Sequence, residues 1–182
     1  MKNYFRFYSL FVCAFTFFFV SCNSRSGTPK LLVFTKTAGF HHASIPVAAD
    51  AIMKLGRENK FEVDTTSNAE MFTEDTLKKY AAIVFLSTTD NDDDLLDNYQ
   101  KNAFQRYIEA GGGFAGVHAA ADAGYHGGWY KRLLGATFKS HPRQQEATIH
   151  VVDMNDISTK HLPDPWIRKD EWYNFNDLSS DI

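Results

Sequence analysis

Histidines in this sequence fall mainly in predicted loops. Six of the seven lie in loops or at predicted strand ends: His41, His42, His118, His126, His141 and His161. Imidazole is the side chain best suited to proton transfer near neutral pH, although an isolated histidine is more often a structural residue. Loops at one edge of a sheet bring distant residues into one pocket. We therefore predict a shared acid–base site that contains His42 and His118.

His118 ends the stretch on which this prediction depends. Three glycines, 111–113, follow a long amphipathic pattern, and an apolar run over 114–117 leads directly to His118. Glycine commonly follows a helix end because the backbone there takes a positive φ, and a short apolar run is typical of a buried strand. Ligands bind at the carboxyl ends of strands in open α/β sheets. The pattern places His118 at the mouth of a site, with His42 in the loop after the first strand.

Carboxylates are the second group of candidates. Asp122 lies four residues after His118 and is predicted either to orient its ring or to cap the next turn. Glu171 belongs to an acidic pair beside aromatic residues, a neighbourhood that raises a carboxyl pKa and suits an acid or base. The alternative is a solvated acidic pair at the edge of an aromatic core.

Aromatic residues near these carboxylates are predicted either to stack on a sugar or to belong to the core. We assign substrate contacts to Asp122, Tyr130, Phe40 and Trp172.

Metal binding is weighed separately, because imidazole and carboxylate together suit zinc or manganese. The sequence has no tight spacing such as H-x-x-x-H. We therefore predict no metal site, assign no cofactor, and keep a metal-dependent hydrolase as a weaker alternative. The aspartate-rich segment 87–94 lacks the EF-hand order of ligands and is predicted as an exposed acidic loop.

The elements that must hold these residues alternate between strand and helix. Apolar and alternating runs predict strands at 31–34, 61–64, 81–86, 114–117 and 147–152, and helical spacing predicts helices at 45–60, 73–80, 95–110 and 129–134. This order predicts an α/β fold, a parallel sheet with helices on both faces. Residues 168–175 show no clear period.

The first 21 residues predict export. Lys2 and Arg6 precede an apolar run that ends Val20-Ser21-Cys22, the pattern of a secretory signal followed by a bacterial lipidation site. We expect a signal peptide over 1–21, a lipid on Cys22, a tether over 22–29, and a location on the cell envelope at its periplasmic or outer-membrane face. A transmembrane anchor is the alternative, although the run is short and lacks a basic flank.

Charge and cysteine content exclude several function classes. The formal net charge is −3, with no basic patch of the kind that nucleic-acid binding requires. Of the two cysteines, Cys13 leaves with the signal and Cys22 carries lipid. The domain then has neither a disulfide nor a thiol nucleophile. The expected partners are a small-molecule saccharide and, through the lipid, a membrane surface.

Four motifs resemble the ThuA-like (trehalose utilisation) family. They span 37–45, 111–120, 141–142 and 170–173, and the resemblance covers the chain from residue 30 onward. It implies the flavodoxin-like fold of class I glutamine amidotransferases. It also implies catalytic roles for the residues at the family's motif positions, namely His42, His118, His141 and Glu171. His118 stands where amidotransferases carry their nucleophilic cysteine, so glutamine hydrolysis is not expected.

Breakdown of disaccharides and 3-keto-sugars is the activity that this resemblance implies. We expect an envelope-anchored protein that acts on a disaccharide, glycoside or 3-keto-sugar by histidine and carboxylate acid–base chemistry. The alternative is a non-catalytic sugar-binding or scaffold module on a degenerate amidotransferase-like fold. Family members continue well past the last motif, so the domain over 30–182 is expected to be incomplete at its C-terminus.

Overall fold

The computed structural model describes residues 27–91, 95–123 and 128–180. The predicted signal peptide, the lipidation site at Cys22 and the loop histidine His126 lie outside these ranges. Within them, no helix combines the length and the apolar character that a bilayer crossing requires.

Four parallel strands form the central sheet, which confirms the predicted α/β architecture. They are β1 (Lys30–Phe34), β2 (Glu62–Thr66), β3 (Ala82–Leu86) and β4 (Gly113–Val117), in the order β2-β1-β3-β4. Val33 pairs with Thr65 on one side and with Val84 on the other. This order is that of flavodoxin-like sheets, whose ligands bind near the point where the strand order reverses, between the first and third strands.

The helices follow the predicted positions with shifts at their ends. They are α1 (Ile45–Asn59), α2 (Glu74–Leu77), α3 (Asn98–Glu109) and α4 (Gly128–Leu134), with 3₁₀ turns at Ala69–Met71 and His118–Asp122. The third helix begins three residues later than predicted. The reason is a capping box, in which the Asp97 side chain accepts the Gln100 N–H and the Gln100 side chain accepts the Asp97 N–H.

Side chains alternate between the two faces of the sheet, and those on each face pack into one apolar cluster. Val33 packs with Ile45 of α1 on one face. Phe34 and Phe85 point to the other face, where Phe85 stacks on Phe104 of α3 at 5.1 Å between ring centroids. Both faces of the central strands are therefore buried, as continuous apolar runs predict.

The fourth strand differs from its predicted burial. Its last three residues, 115–117, are exposed, and 37% of the Val117 surface is open to solvent. Among the described residues β4 is the edge strand of the sheet, because only β3 pairs with it.

The last third of the chain adds two antiparallel pairs. β5 (Thr137–Ser140) pairs with β8 (Asn174–Asn176), and β6 (Gln145–Ile149) pairs with β7 (Trp166–Asp170). The predicted strand at 147–152 therefore begins and ends earlier, while 168–175, predicted without an element, contains strand residues on both sides of a short connection. That connection, residues 171–173, carries a candidate carboxylate.

Candidate functional site

The loop between β1 and α1 carries His42 and is fixed by the residues that follow β3. The Thr89 hydroxyl donates to the Phe40 carbonyl at 2.8 Å, and the Ala38 N–H donates to the Thr89 carbonyl at 2.9 Å. Residues 87–90 are no more than 5% exposed. This corrects the expectation of an exposed loop for these residues, because polar groups in this segment satisfy the backbone of the neighbouring loop.

His118 lies at the turn between β4 and the 3₁₀ turn that follows it. Its φ is 51°, in the left-handed region that residues other than glycine rarely adopt. A Cβ at Gly116 would stand 3.2 Å from the Cβ of Ala120, so glycine there allows the chain to double back closely. Sharp turns after a strand expose reactive side chains in other α/β proteins, and retained strain of this kind is common at functional sites.

Five side chains meet at the edge of the sheet and are called the rim cluster: His42, His118, His141, Glu171 and Tyr173. The rings of His42 and His118 lie edge to face with centroids 4.7 Å apart. The Nε2 atom of His118 is 3.3 Å from Glu171 Oε2 and 3.2 Å from the Tyr173 hydroxyl. His141 Nε2 is 4.0 Å from the same Glu171 oxygen. The four residues predicted as catalytic are thus together, while their roles stay predictions.

The rim cluster is partly open to solvent. The side chains of His118 and Glu171 are 27% and 22% exposed, and that of His141 is 38% exposed. Burial, reinforced by the neighbouring His118, lowers the pKa of His42 below its usual 6.5. This ring is therefore neutral at pH 7 and offers a nitrogen lone pair. Among the described residues, its Nδ1 atom is buried without a hydrogen-bond partner.

Burial shifts the pKa of one member of the rim cluster, Tyr173, and of one carboxyl group that interacts electrostatically with Tyr173, Asp122. Burial, followed by the charge of Glu171, raises the pKa of Tyr173 to about 12. Burial, followed by the charge of Asp90, raises the pKa of Asp122 to about 6. Asp122 ends the 3₁₀ turn that His118 begins, and its carbonyl accepts the Asp90 N–H at 3.0 Å. Its charge in turn contributes to the raised pKa of Tyr173.

The residues predicted to contact substrate are placed differently from one another. Phe40 is 71% exposed, with its ring edge-on to His42 at 4.8 Å. The Trp172 indole N–H donates to the Gln145 carbonyl at 2.8 Å, which fixes the connection between β7 and β8. Tyr130, in contrast, is only 8% exposed and lies in the apolar core.

The placement of Tyr130 corrects its assignment as a substrate contact. Its hydroxyl donates to the Ala120 carbonyl at 3.0 Å, and its ring packs against Phe85 and Phe114. The core alternative therefore holds for this residue, because its ring lies between α4, which carries it, and the sheet.

Sequence reasoning missed the functional placement of two residues. The Gln144 amide donates to Glu171 Oε1 at 3.2 Å and so orients the carboxylate. No sequence signal marks Gln144. Tyr173 lies in the motif at 170–173 and was considered only as a stacking or core aromatic; its hydroxyl in fact contacts the His118 ring.

Chemically, the rim cluster offers imidazoles, a carboxylate and a phenol within hydrogen-bonding reach, which is the equipment of general acid–base catalysis. His42, His118 and Glu171 also each offer a ligand atom, all within 4.8 Å of one another, so these three residues form the candidate metal-binding set.

Comparison with known proteins supports the same family as the motifs. The profile of the ThuA family, described as trehalose utilisation, matches residues 30–182. The fold is similar to that of a ThuA-like protein from Bacteroides uniformis ATCC 8492, with 28% identity over 81% of this chain and a TM-score of 0.68. It is also similar to that of a ThuA-like protein from Parabacteroides merdae ATCC 43184, with 21% identity over 81% of this chain and a TM-score of 0.64.

Both solved structures are longer than the part that aligns with this chain. The aligned part spans 62% of the Bacteroides protein and 63% of the Parabacteroides protein, and the second likeness shows the fold alone. No match to this chain was found among curated proteins. The family profile, in contrast, covers the whole domain after residue 29. On that evidence, the chain belongs to the ThuA (trehalose utilisation) family.

Proposed function

We propose that this protein processes a disaccharide, glycoside or 3-keto-sugar by acid–base chemistry at the rim cluster. Family membership supports the class of substrate. The observation that carries the chemistry is the contact of 3.3 Å between His118 Nε2 and Glu171 Oε2, made beside the ring of His42. A carboxylate that accepts an imidazole N–H orients the ring for proton transfer.

A 3-keto group acidifies the C–H bonds next to it, so the His118–Glu171 pair can remove one of these protons. His118 or Glu171 removes the proton from C2, and the electron pair forms an enolate with the C3 carbonyl. Collapse of the enolate breaks the C1–O bond and forms a C1=C2 double bond, whereas protonation of the enolate oxygen to an enediol and proton return to C3 gives the 2-keto isomer. His42 or His141 polarises the carbonyl or protonates the leaving oxygen.

The surface beside the imidazoles suits a sugar ring. Phe40 presents an exposed aromatic face next to His42, and aromatic faces with a few convergent polar groups are typical of small-ligand sites. A pyranose on Phe40 would bring its hydroxyl and carbonyl oxygens toward the rim cluster.

The test is turnover of 3-keto-glycosides by His118→Ala. We expect a loss of about 100-fold or more, the range of a single acid–base group. His150→Ala is the matched control, because His150 is 74% exposed and pairs with Asp164 at 3.1 Å, away from the rim cluster. Unchanged turnover in His118→Ala would remove His118 from the chemistry.

A non-catalytic sugar-binding module is the second candidate, and the exposure of Phe40 favours it. Such a module would use the aromatic face and the polar rim only to hold a saccharide. Calorimetry with 3-keto and unoxidised disaccharides separates the two functions, since binding without turnover supports the module.

The proposal includes attachment to the cell envelope through a lipid on Cys22. Its support is the basic start, the apolar run and the Val20-Ser21-Cys22 ending of the first 22 residues. A lipid anchor holds a domain at a membrane surface without a spanning helix.

A further inference from the structure

We propose that His42, His118 and Glu171 hold one divalent transition-metal ion of the zinc or manganese class. The inference deepens the proposed function and rests on it for the identity of the substrate, but the ion site is argued from this chain's own residues. Each of the three offers a ligand atom, and these atoms lie within 4.8 Å of one another.

The distances between the three ligand atoms are close to those within the coordination shell of a bound ion. Zinc lies about 2.0–2.2 Å from imidazole and carboxylate ligands, so atoms in one shell are at most about 4.4 Å apart. His118 Nε2 and Glu171 Oε2, at 3.3 Å, already meet this limit. The three ligand atoms lie within 4.8 Å of one another, so the longer separations would have to shorten slightly when an ion binds.

The donor set selects the kind of ion. Two imidazoles and a carboxylate suit zinc, manganese or iron, whereas magnesium and calcium prefer oxygen ligands alone. Three protein ligands, instead of four, are typical of catalytic sites that keep a position for water or substrate. The partial exposure of His118 and Glu171 leaves such a position accessible.

Surrounding contacts hold the three ligands in place, as outer-shell partners do in metal sites. Gln144 binds Glu171 Oε1 and leaves Oε2 toward the imidazoles. The loop of His42 is fixed through Thr89, and the turn at His118 is fixed by its backbone. The ligands come from three separate loops, which is why a search for H-x-x-x-H on one helix does not find them.

An ion at this position would supply Lewis acidity to the proposed reaction. The C3 carbonyl and C2 hydroxyl oxygens of a 3-keto-sugar are adjacent and suit one cation. If the ion is bound, His118 and Glu171 would act as its ligands, and His141 would replace them as the base that takes the C2 proton. Its Nε2 atom lies 4.0 Å from Glu171 Oε2, so it borders the ion site without belonging to the ligand set.

Metal stoichiometry tests the site directly. The purified full chain is stripped with chelator, loaded separately with Zn²⁺, Mn²⁺ or Co²⁺, and passed through gel filtration before elemental analysis. We expect about one ion per chain for at least one metal, and the visible absorption of a low-symmetry site for Co²⁺. Glu171→Gln and His42→Ala are expected to bind at least tenfold more weakly, while His150→Ala binds like the parent.

Circular dichroism confirms that each variant is folded, and Glu171→Gln, which keeps the size of the side chain, decides the test if His42→Ala does not fold. Substoichiometric binding by the parent chain, or parent-like binding by the ligand variant, overturns the site. Turnover that persists in metal-free protein overturns a role for the ion in the reaction and leaves the proposed function intact. A stoichiometric ion without turnover of any disaccharide, glycoside or keto-sugar establishes the site and overturns the proposed function.

Discussion

Tyr173 joins two imidazoles of the rim cluster through one side chain. Its hydroxyl lies 3.2 Å from His118 Nε2, while its ring stacks on His141 with centroids 5.8 Å apart. The ring also packs against Phe138 at 4.4 Å, which ties it to β5. The two parts of this side chain can therefore be tested separately: the hydroxyl contacts His118, and the ring packs against His141 and Phe138.

Tyr173→Phe tests the task of the hydroxyl. The variant keeps the ring and its packing, so we expect an unchanged melting temperature. Turnover of the sugar substrate should fall by about 10–100-fold, because a hydrogen bond to His118 is lost from the reacting geometry.

Tyr99→Phe is the control for that variant, since Tyr99 is 62% exposed on α3 and loses an equivalent hydroxyl. Equal rates for the two variants and the parent would show that the Tyr173 hydroxyl plays no part in the reaction.

At the residue scale, the sequence locates side chains that directly follow parallel strands. His118 comes straight after an apolar run, so topology alone places it at the sheet edge. Its φ of 51° has no sequence signal, because nothing local distinguishes a strained histidine from a relaxed one. The sequence does not predict the contact of Gln144 with Glu171 either, since its position depends on the register of antiparallel strands.

Among the elements, a carboxylate in the middle of β2 links the start of β1 to the segment just before β3. Asp64 of β2 accepts the Tyr80 hydroxyl at 2.7 Å and pairs with Lys30 of β1 at 2.9 Å. Tyr80 lies just before β3 and is 4% exposed. Burial raises the pKa of Asp64, but hydrogen bonds from Lys30 and Tyr80 outweigh burial and hold it below its usual 3.8.

This link predicts a defined dependence of stability on pH. Because the folded-state pKa of Asp64 is below the unfolded one, its contribution is complete above about pH 4 and is lost as pH falls through the folded-state value. Asp64→Asn should reduce the free energy of unfolding by about 1 kcal/mol at pH 7, a modest figure because the side chain is 41% exposed.

Urea unfolding of parent and variant at pH 7 and pH 3 measures the effect, and the difference between them should shrink at the lower pH. Asp75→Asn is the control, since its carboxylate is 88% exposed where it pairs with Lys78. A gap for Asp64→Asn that does not depend on pH would contradict the assignment.

Sequence periodicity predicts the buried strands of this fold but not the short, exposed ones. The strands β1 and β3 are continuous apolar runs because both sheet faces are covered, and the sequence predicts them closely. The strands β5 and β8 are short, half-exposed and paired with each other across 34 or more residues. Such pairs leave no local pattern, and this is why residues 168–175 gave no element in the prediction.

On the scale of the whole molecule, the described domain is one part of an envelope protein in our proposal. The family profile begins at residue 30, directly after the predicted tether. Cys22 lies outside the described residues, so attachment rests on the sequence pattern alone.

Cys22→Ser tests the attachment. In a bacterium that processes lipoproteins, we expect the parent chain to incorporate labelled palmitate and the variant to lose the label, because the thiol that carries the lipid is gone. Cys13→Ser is the matched control, since Cys13 lies inside the apolar run that is predicted to be removed. Label retained by Cys22→Ser, or lost from Cys13→Ser, would show that lipidation does not occur at residue 22.

Finally, the rim cluster is assembled from two layers that differ in the burial of the elements that carry them. The imidazoles of His42 and His118 stand on loops of the parallel sheet, where the buried core restrains change. The carboxylate and the phenol arrive on a connection between exposed antiparallel strands, where substitution costs little stability. Substitutions in the outer layer should therefore change the chemistry of the site at a smaller cost in stability than substitutions in the histidine loops.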